Sequence, residues 1–146
     1  MELMYEPSRQ ALFHTDPGQL AAVRNLAPKQ RFAHAVKEII YRREAWGLCR
    51  SRNWHLDERN AFLLWPAWEY ADEWLSHHPS LWQHDYTPKK MSLHELMKEL
   101  LPLLKNEHIM MGVFFVPKNN GIIITPDAFG ESINALMRDW FGDLDY

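Results

Sequence analysis

Apolar residues recur at helical spacing in three stretches of the chain. Positions three or four residues apart share one face of a helix, so this repeat predicts a helix with one buried side. The three predicted helices are 29–43, 92–104 and 126–140. Their apolar positions are Phe32, Val36, Ile39 and Ile40, then Leu93, Leu96, Met97, Leu100, Leu101 and Leu104, then Phe129, Ile133, Leu136, Met137 and Trp140. The basic residues of the first helix, including Arg31, fall outside its apolar face and are expected to meet water.

Cap residues mark the beginnings of two of these helices. Ser92 and Glu95 form a capping box, in which each side chain accepts a hydrogen bond from the other residue's free backbone N–H. Thr125 followed by Pro126 opens the last helix, because a hydroxyl caps the helix and proline suits its first turn. Pro102 lies near the end of the middle helix and is expected to kink or weaken its last turn.

Two further helices are predicted from weaker signals. Asp16 can cap a short helix whose first position is Pro17. The segment 67–77 also has a helical pattern, and its apolar side consists of Trp68, Ala71, Trp74 and Leu75. The segment 79–90 is predicted to be a loop.

Short apolar runs between polar turns predict about five strands. The polar segments 51–53 and 58–60 separate the first three strands. The last two are joined by Lys118-Asn119-Asn120-Gly121, in which Asn-Gly is the strongest short signal for a hairpin. The predicted strands are 45–50, 54–57, 61–65, 108–116 and 121–125. The elements together predict an α+β fold of about five mostly antiparallel strands, with four to five helices packed mainly on one face.

The length of the chain bears on its domain organisation. A chain of 146 residues suits one domain and is short for two. The only plausible boundary lies near Pro28. We therefore predict an N-terminal arm and short helix over residues 1–28, followed by a single α+β domain over residues 29–146.

Composition narrows the class of protein. Aromatic residues make up 13% of the chain and include seven Trp, which excludes a disordered chain. The single Cys49 excludes an intramolecular disulfide, and its place in a predicted strand indicates a small buried hydrophobe rather than a nucleophile. No apolar run approaches the ~18–20 residues that cross a bilayer, and the acidic N-terminus broken by Pro7 does not resemble a signal peptide. We therefore expect a cytoplasmic protein with no membrane partner.

Charge is unevenly spread along the chain. The formal net charge is −3, but residues 1–60 hold ten Lys and Arg against seven Asp and Glu, whereas residues 61–146 hold six against twelve. Such asymmetry has two interpretations. The two halves can form two solvated faces of one domain, or the protein can bind a polar partner or associate with itself.

Histidines cluster in the segment 77–85. His77, His78, His84 and Asp85 could supply metal ligands, because imidazole and carboxylate groups both bind divalent ions. No HExxH or HxH pattern supports such a site, and histidines near a helix end also interact favourably with its dipole. We therefore interpret the cluster as a solvated helix end and expect no metal.

Basic and aromatic residues alternate in the segment 42–54. Arginine beside exposed tryptophan can hold single-stranded nucleic acid. The residues concerned are Arg42, Arg43, Trp46, Arg50, Arg52 and Trp54. The sequence pI near 6.2 disfavours nucleic acid as a partner, because nucleic-acid-binding domains are usually basic.

Several aromatic and apolar motifs occur in an order that resembles a known family. The motifs are Glu44-Ala-Trp46-Gly-Leu48, Trp54, Leu64-Trp65-Pro66, Glu69-Tyr70-Ala71, Tyr86-Thr-Pro88, Leu100-Leu101-Pro102-Leu103-Leu104, Gly112-Val-Phe-Phe-Val-Pro117 and Ile124-Thr-Pro126. From Phe32 to Trp140 the chain is similar to a bacterial family of uncharacterised proteins, domain of unknown function 2750. The resemblance implies a compact intracellular bacterial domain. It carries over no catalytic residue, because the family has none established.

The predicted function is that of a small intracellular binding protein without catalytic activity. The absence of catalytic motifs, the tryptophan-rich middle of the chain and the charge asymmetry favour it. The expected partner is another protein, as for an adaptor or toxin-neutralising protein, or a second copy in a homodimer, and no cofactor is expected. The predicted binding residues are Glu69, Asp72, Glu73, Trp74, Trp82 and Asp85.

The alternative function is an enzyme whose pocket is assembled from scattered residues. Chemistry can be built from positions that are distant in sequence. The candidate titratable residues are His55, Asp57, His84 and Asp85.

Overall fold

The computed structural model describes residues 15–142, which contain six helices and six strands. The helices are α1 (Pro17–Arg24), α2 (Pro28–Arg42), α3 (Trp68–Ser76), α4 (Pro79–Trp82), α5 (the consecutive segments Leu93–Glu95, Leu96–Leu100 and Leu101–Asn106) and α6 (Pro126–Phe141). The strands are β1 (Glu44–Arg50), β2 (Asn53–Trp54), β3 (Ala61–Leu64), β4 (Thr87–Ser92), β5 (Met110–Val113) and β6 (Ile122–Ile124). The α+β prediction is confirmed. The additional strand is β4, which overlaps the end of the predicted loop 79–90, and the beginning of that segment forms the short helix α4.

The strands form two small sheets that meet at two tryptophans. The strand orders are β2-β1-β4 and β3-β5-β6, and β3–β5 is the parallel pair among otherwise antiparallel neighbours. Trp46 and Trp65 exchange two backbone hydrogen bonds of 2.9 Å, which join β1 to the end of β3. The two sheets therefore share a single hydrophobic core.

The paired strands β3 and β5 belong to this core. All four residues of β3 are buried, as expected for a strand covered on both faces. The Trp65 indole N–H donates to the Phe115 carbonyl at 2.8 Å, so the buried ring also satisfies its polar atom. The motif around Trp65 is therefore part of the scaffold.

Pro102 produces a π-helical turn in α5. Proline lacks an N–H and crowds the carbonyl four residues before it, here that of Lys98. The segment Leu96–Leu100 is π-helical, and the Leu101 N–H donates to the Leu96 carbonyl five residues back. The predicted distortion is present, in the form of a widened turn just before the proline. The Ser92–Glu95 capping box is also present, with bonds of 2.8 and 3.0 Å.

Arg31 is buried, so the prediction that it faces water is wrong. Its side chain is 1% exposed and donates to the carbonyls of Leu26, Phe114 and Asn120 at 2.8, 3.2 and 2.8 Å. Burial lowers the pKa of the guanidinium. Helical periodicity could not reveal these acceptors, because Phe114 and Asn120 belong to the distant loop between β5 and β6.

The hairpin turn between β5 and β6 differs from the predicted Asn120-Gly121 turn. Val116 and Asn119 exchange two backbone hydrogen bonds, so the tight turn lies between them. Gly121 serves a different purpose, since a Cβ built there would lie 1.9 Å from the Val113 carbonyl oxygen. Glycine is thus required for close approach of the two chain segments.

The N-terminal helix is confirmed in part. The Asp16 side chain accepts from the Gln19 N–H, and Pro17 is the first residue of α1. Residues 1–14 of the predicted arm and residues 143–146 of the acidic C-terminus lie outside the described residues. The division of the chain near Pro28 stays a prediction.

Candidate functional site

A cleft of about 410 Å³ lies between the β2–β3 connection and the end of α3. We call it the imidazole cleft, and six of its lining residues are His55, Asp57, Arg59, Trp74, His78 and Phe115. His55 is held by the end of the β1–β2 hairpin, where its N–H donates to the Leu48 carbonyl at 2.8 Å. The cleft volume lies within the range of about 300–1,000 Å³ that small-molecule sites occupy.

The Asp57 carboxylate is fully engaged by its own turn. It accepts from the backbone N–H groups of Arg59 and Ala61 at 2.9 and 3.0 Å, and it forms an ion pair with the Arg59 guanidinium at 3.0 Å. Arg59 also lies over the Phe115 ring, 5.1 Å from its centroid. Asp57 therefore shapes the turn that separates β2 from β3, and its carboxylate is not directed at His55.

His78 stacks on Trp74 with ring centroids 3.7 Å apart and 19° between the planes. Its Nδ1 lies 2.7 Å from the Trp74 carbonyl oxygen. Because a carbonyl only accepts, Nδ1 must carry a hydrogen, and the neutral ring then presents Nε2 as an acceptor.

The other two histidines of this segment make the same bond. Nδ1 of His77 bonds the Glu73 carbonyl at 3.0 Å, and Nδ1 of His84 bonds the Ser80 carbonyl at 2.8 Å. Each ring satisfies a carbonyl four residues before it at a helix end. Within residues 15–142, no group of three or more His, Cys, Asp or Glu is arranged to hold a metal ion.

His55 differs from the helix-end histidines. Its ring lies 5.5 Å from the Tyr86 ring and 6.4 Å from the Trp74 ring, and it makes no hydrogen bond with the described residues. Burial lowers its pKa, Asp57 opposes that shift, and His78 adds to it. The ring is therefore neutral near pH 7 and has hydrogen-bonding capacity to offer a ligand.

The cleft lacks the hydrogen-bonded pairs that activate a nucleophile. In the part of the chain that the structure describes, neither His55 nor His78 bonds a hydroxyl or a thiol. Cys49 is buried, as predicted, and its thiol donates to the Ser51 carbonyl at 3.4 Å.

The predicted binding residues occupy four different environments. Glu69 accepts from the Thr15 N–H at 2.8 Å, and Glu73 forms an ion pair with Arg24 at 3.1 Å, so both tie the N-terminal region to α3. Asp72 lies on the same helix and is exposed. Trp74 is buried, with 8% exposure, and lines the imidazole cleft.

The remaining two residues lie at the C-terminal end of α4, where Trp82 is the last helical residue and Asp85 belongs to the turn that follows. Trp82 is 48% exposed, and its indole makes no ring or cation contact with the described residues. The Asp85 N–H donates to the Trp82 carbonyl at 3.3 Å, and Asp85 has a positive φ of 69°. We call Trp82 and Asp85 the Trp82 turn.

Two of the four residues predicted for an enzyme pocket come together. His55 and Asp57 line the imidazole cleft, whereas His84 and Asp85 do not. Sequence reasoning missed Arg59 and His78 as lining residues. The spacing of Trp74 and His78, four residues apart at a helix end, was a usable signal, since such pairs are neighbours on a helix surface.

The segment 42–54 does not form a set of exposed stacking platforms. Trp46 is buried in the core, and Arg42 forms an ion pair with Glu38 at 3.0 Å. Arg50 lies over the Tyr86 ring at 5.2 Å. Its guanidinium is thus already stacked on an aromatic side chain of this chain.

A family model for a protein of unknown function, DUF2750, matches residues 32–133, which is more than two-thirds of the chain. The chain belongs to the DUF2750 family. The DUF2750 region begins within α2 and includes the imidazole cleft and the Trp82 turn, but it leaves out α1 and the C-terminal half of α6. No curated protein and no solved structure matches the chain. None of the helices in residues 15–142 combines the length and the apolar character of a membrane span.

Proposed function

We propose that this DUF2750 protein is a non-catalytic binding protein of the cytoplasm whose partner is another protein, of the adaptor or toxin-neutralising type. The observation that carries the proposal is the exposed indole of Trp82, on which no ring or cation of residues 15–142 stacks. Tryptophan is enriched among the residues that dominate protein–protein binding energy, and its large apolar surface is unfavourable in water.

The acidic side chains of the Trp82 turn and of the exposed face of α3 favour a basic partner. Asp85 in the turn and Asp72 on α3 are exposed, and neither forms an ion pair with the described residues. Glu69 already accepts a hydrogen bond from the Thr15 N–H, and Glu73 already forms an ion pair with Arg24 of α1. We therefore exclude both carboxylates from this role. Complementary charge raises the association rate and selects against acidic partners.

Capture from the native cell lysate tests this proposal. The tagged wild-type protein is expected to recover one stoichiometric protein, and Trp82→Ala is expected to lose it. Leu103→Ala is the matched control, because Leu103 is a large apolar residue that is 53% exposed but lies on α5, away from the Trp82 turn in sequence. Recovery of the bait alone, or equal recovery by Trp82→Ala and the wild type, contradicts the proposal.

A second function is favoured by the imidazole cleft, namely an enzyme whose pocket is assembled from scattered histidine and aspartate residues. The cleft is of substrate size, and no group of residues 15–142 forms a hydrogen bond with the His55 ring or with the Nε2 atom of His78. A small molecule held there is expected to copurify with the wild-type protein and to be lost from His78→Ala. His84→Ala is the matched control, since His84 makes the same helix-end bond outside the cleft. Purified protein free of small molecules contradicts this second function.

A further inference from the structure

The structure contains a second concave surface, which no predicted site residue lines. A groove of about 650 Å³ runs between α2 and α6 and reaches β6. Its apolar lining includes Phe32 and Val36 of α2, Ile122 of β6 and Leu136 of α6. Ala33 and Ala135 also line it and are exposed, so a partner's backbone can approach both helices closely. We call this surface the α2–α6 groove.

The two walls of the α2–α6 groove carry opposite charges. Lys29 and Lys37 line the α2 wall, and Asp139 lines the α6 wall. All three are exposed, and none forms an ion pair with another described residue. A surface with one basic and one acidic wall is complementary to itself after a two-fold rotation, because the α2 wall of one copy then faces the α6 wall of the other.

Exposed aromatic residues continue both helix faces beyond the groove. Tyr41 follows Lys37 by four residues on α2 and is 72% exposed, and Trp140 follows Leu136 by four residues on α6. Residues four apart are neighbours on a helix surface, so each wall gains an apolar extension at its C-terminal end. Exposed apolar patches bordered by charge are typical of protein–protein contacts.

We propose that the α2–α6 groove is the interface of a two-fold symmetric homodimer. The α2 wall of each copy packs on the α6 wall of the other, and the lysines of one copy face Asp139 of the second copy. The Trp82 turn lies outside this surface, so the dimer and the binding of another protein are independent properties.

Sedimentation over a range of protein concentrations tests the proposal with the full chain. The wild-type protein is expected to form a dimer, and Ala135→Arg is expected to raise the dissociation constant at least about tenfold, because a long cationic side chain blocks close approach. Lys29→Glu/Lys37→Glu and Asp139→Lys are each expected to raise it by about tenfold, since two exposed ion pairs are replaced by repulsion.

Combining the two charge reversals provides the decisive control. The triple variant restores opposite charges on the two walls, so its dissociation constant is expected to return to within about threefold of the wild type. Lys118→Glu, a charge reversal outside the groove, and Trp82→Ala are expected to leave dimerisation unchanged. A wild-type protein that is monomeric at every concentration overturns the proposal. A dissociation constant that Ala135→Arg leaves unchanged also overturns it. The same holds if the triple variant dimerises as weakly as the variants with one wall reversed.

Discussion

Arg31 and His55 are polar side chains in largely apolar surroundings, and burial lowers the pKa of both, yet their hydrogen bonding differs completely. Arg31 donates to three backbone carbonyls, one in the α1–α2 connection and two in the β5–β6 loop. The His55 ring makes no hydrogen bond with the described residues. The comparison separates two uses of a polar group. A group bonded to the backbone holds the fold together, and a group without such bonds is left available to a ligand.

Replacing Arg31 gives the largest expected effect. Arg31→Met retains an aliphatic chain but removes the donors to one buried and two part-buried carbonyls, so we expect the free energy of unfolding to fall by about 3 kcal/mol. Urea denaturation measures it, with Lys29→Met as the control, because Lys29 is exposed on the same helix and should change stability by less than about 0.5 kcal/mol. Equal stability of the two variants would show that Arg31 does not hold the β5–β6 loop.

Asp57 tests whether a residue that lines the imidazole cleft serves the scaffold. Asp57→Ala removes the acceptor of two backbone N–H groups and the partner of Arg59, so we expect a loss of about 1–2 kcal/mol in the free energy of unfolding. Asp57→Asn retains one acceptor oxygen and should lose less. Thermal unfolding compares the two variants, and a lower melting temperature for Asp57→Asn than for Asp57→Ala would contradict this account of the turn.

The pH dependence of stability tests the interpretation of His55, the polar side chain without hydrogen bonds to the described residues. The pKa of His55 is lower in the folded state, so between that pKa and the unfolded value of about 6.5 the unfolded chain binds the extra proton. Stability is therefore fully present above about pH 6.5 and falls as the pH drops toward the folded-state pKa. His34 has the same direction of shift and contributes in the same sense.

His55→Gln removes one of these two contributions. We expect the variant to lose less stability than the wild type between pH 7 and pH 5, as measured by denaturant unfolding at each pH. Identical curves for the two proteins would show that the His55 ring is equally easy to protonate in the folded and unfolded states.

Trp82→Ala gives the smallest expected change in stability. The indole is about half exposed and makes no ring contact with the described residues, so the free energy of unfolding should change by less than about 0.5 kcal/mol. Calorimetry checks this value. A loss of more than about 1.5 kcal/mol would place Trp82 in the scaffold and remove it as a recognition residue.

The local elements were predictable because their signals are local. The cap at Asp16, the capping box at Ser92 and the cap at Thr125 each lie one residue before an observed helix. The missed strand β4 contains Pro88 and two lysines, and Met91 is its one buried residue. Such a composition protects an edge strand from aggregation and hides it from hydrophobic patterning.

The sites were less predictable because they combine distant parts of the chain. His55, His78 and Phe115 share the imidazole cleft although 60 residues separate the first from the last. Trp74 is of a residue type that is common in binding sites, but its position on α3 directs the ring toward Trp65 in the core, with ring centroids 5.6 Å apart. Phe32 and Leu136 were predicted as core residues, but each is only partly buried. Their remaining exposed surface forms part of the apolar lining of the α2–α6 groove.

Native mass measurement of protein purified from its own cells tests most directly whether this protein acts by recognition at its outer surface. The account predicts that the wild type and His78→Ala carry a second protein, and that Trp82→Ala does not. The account would be contradicted if the wild type carried a small molecule and no second protein, and if Trp82→Ala retained that molecule while His78→Ala lost it. Such a result would assign the function to the imidazole cleft.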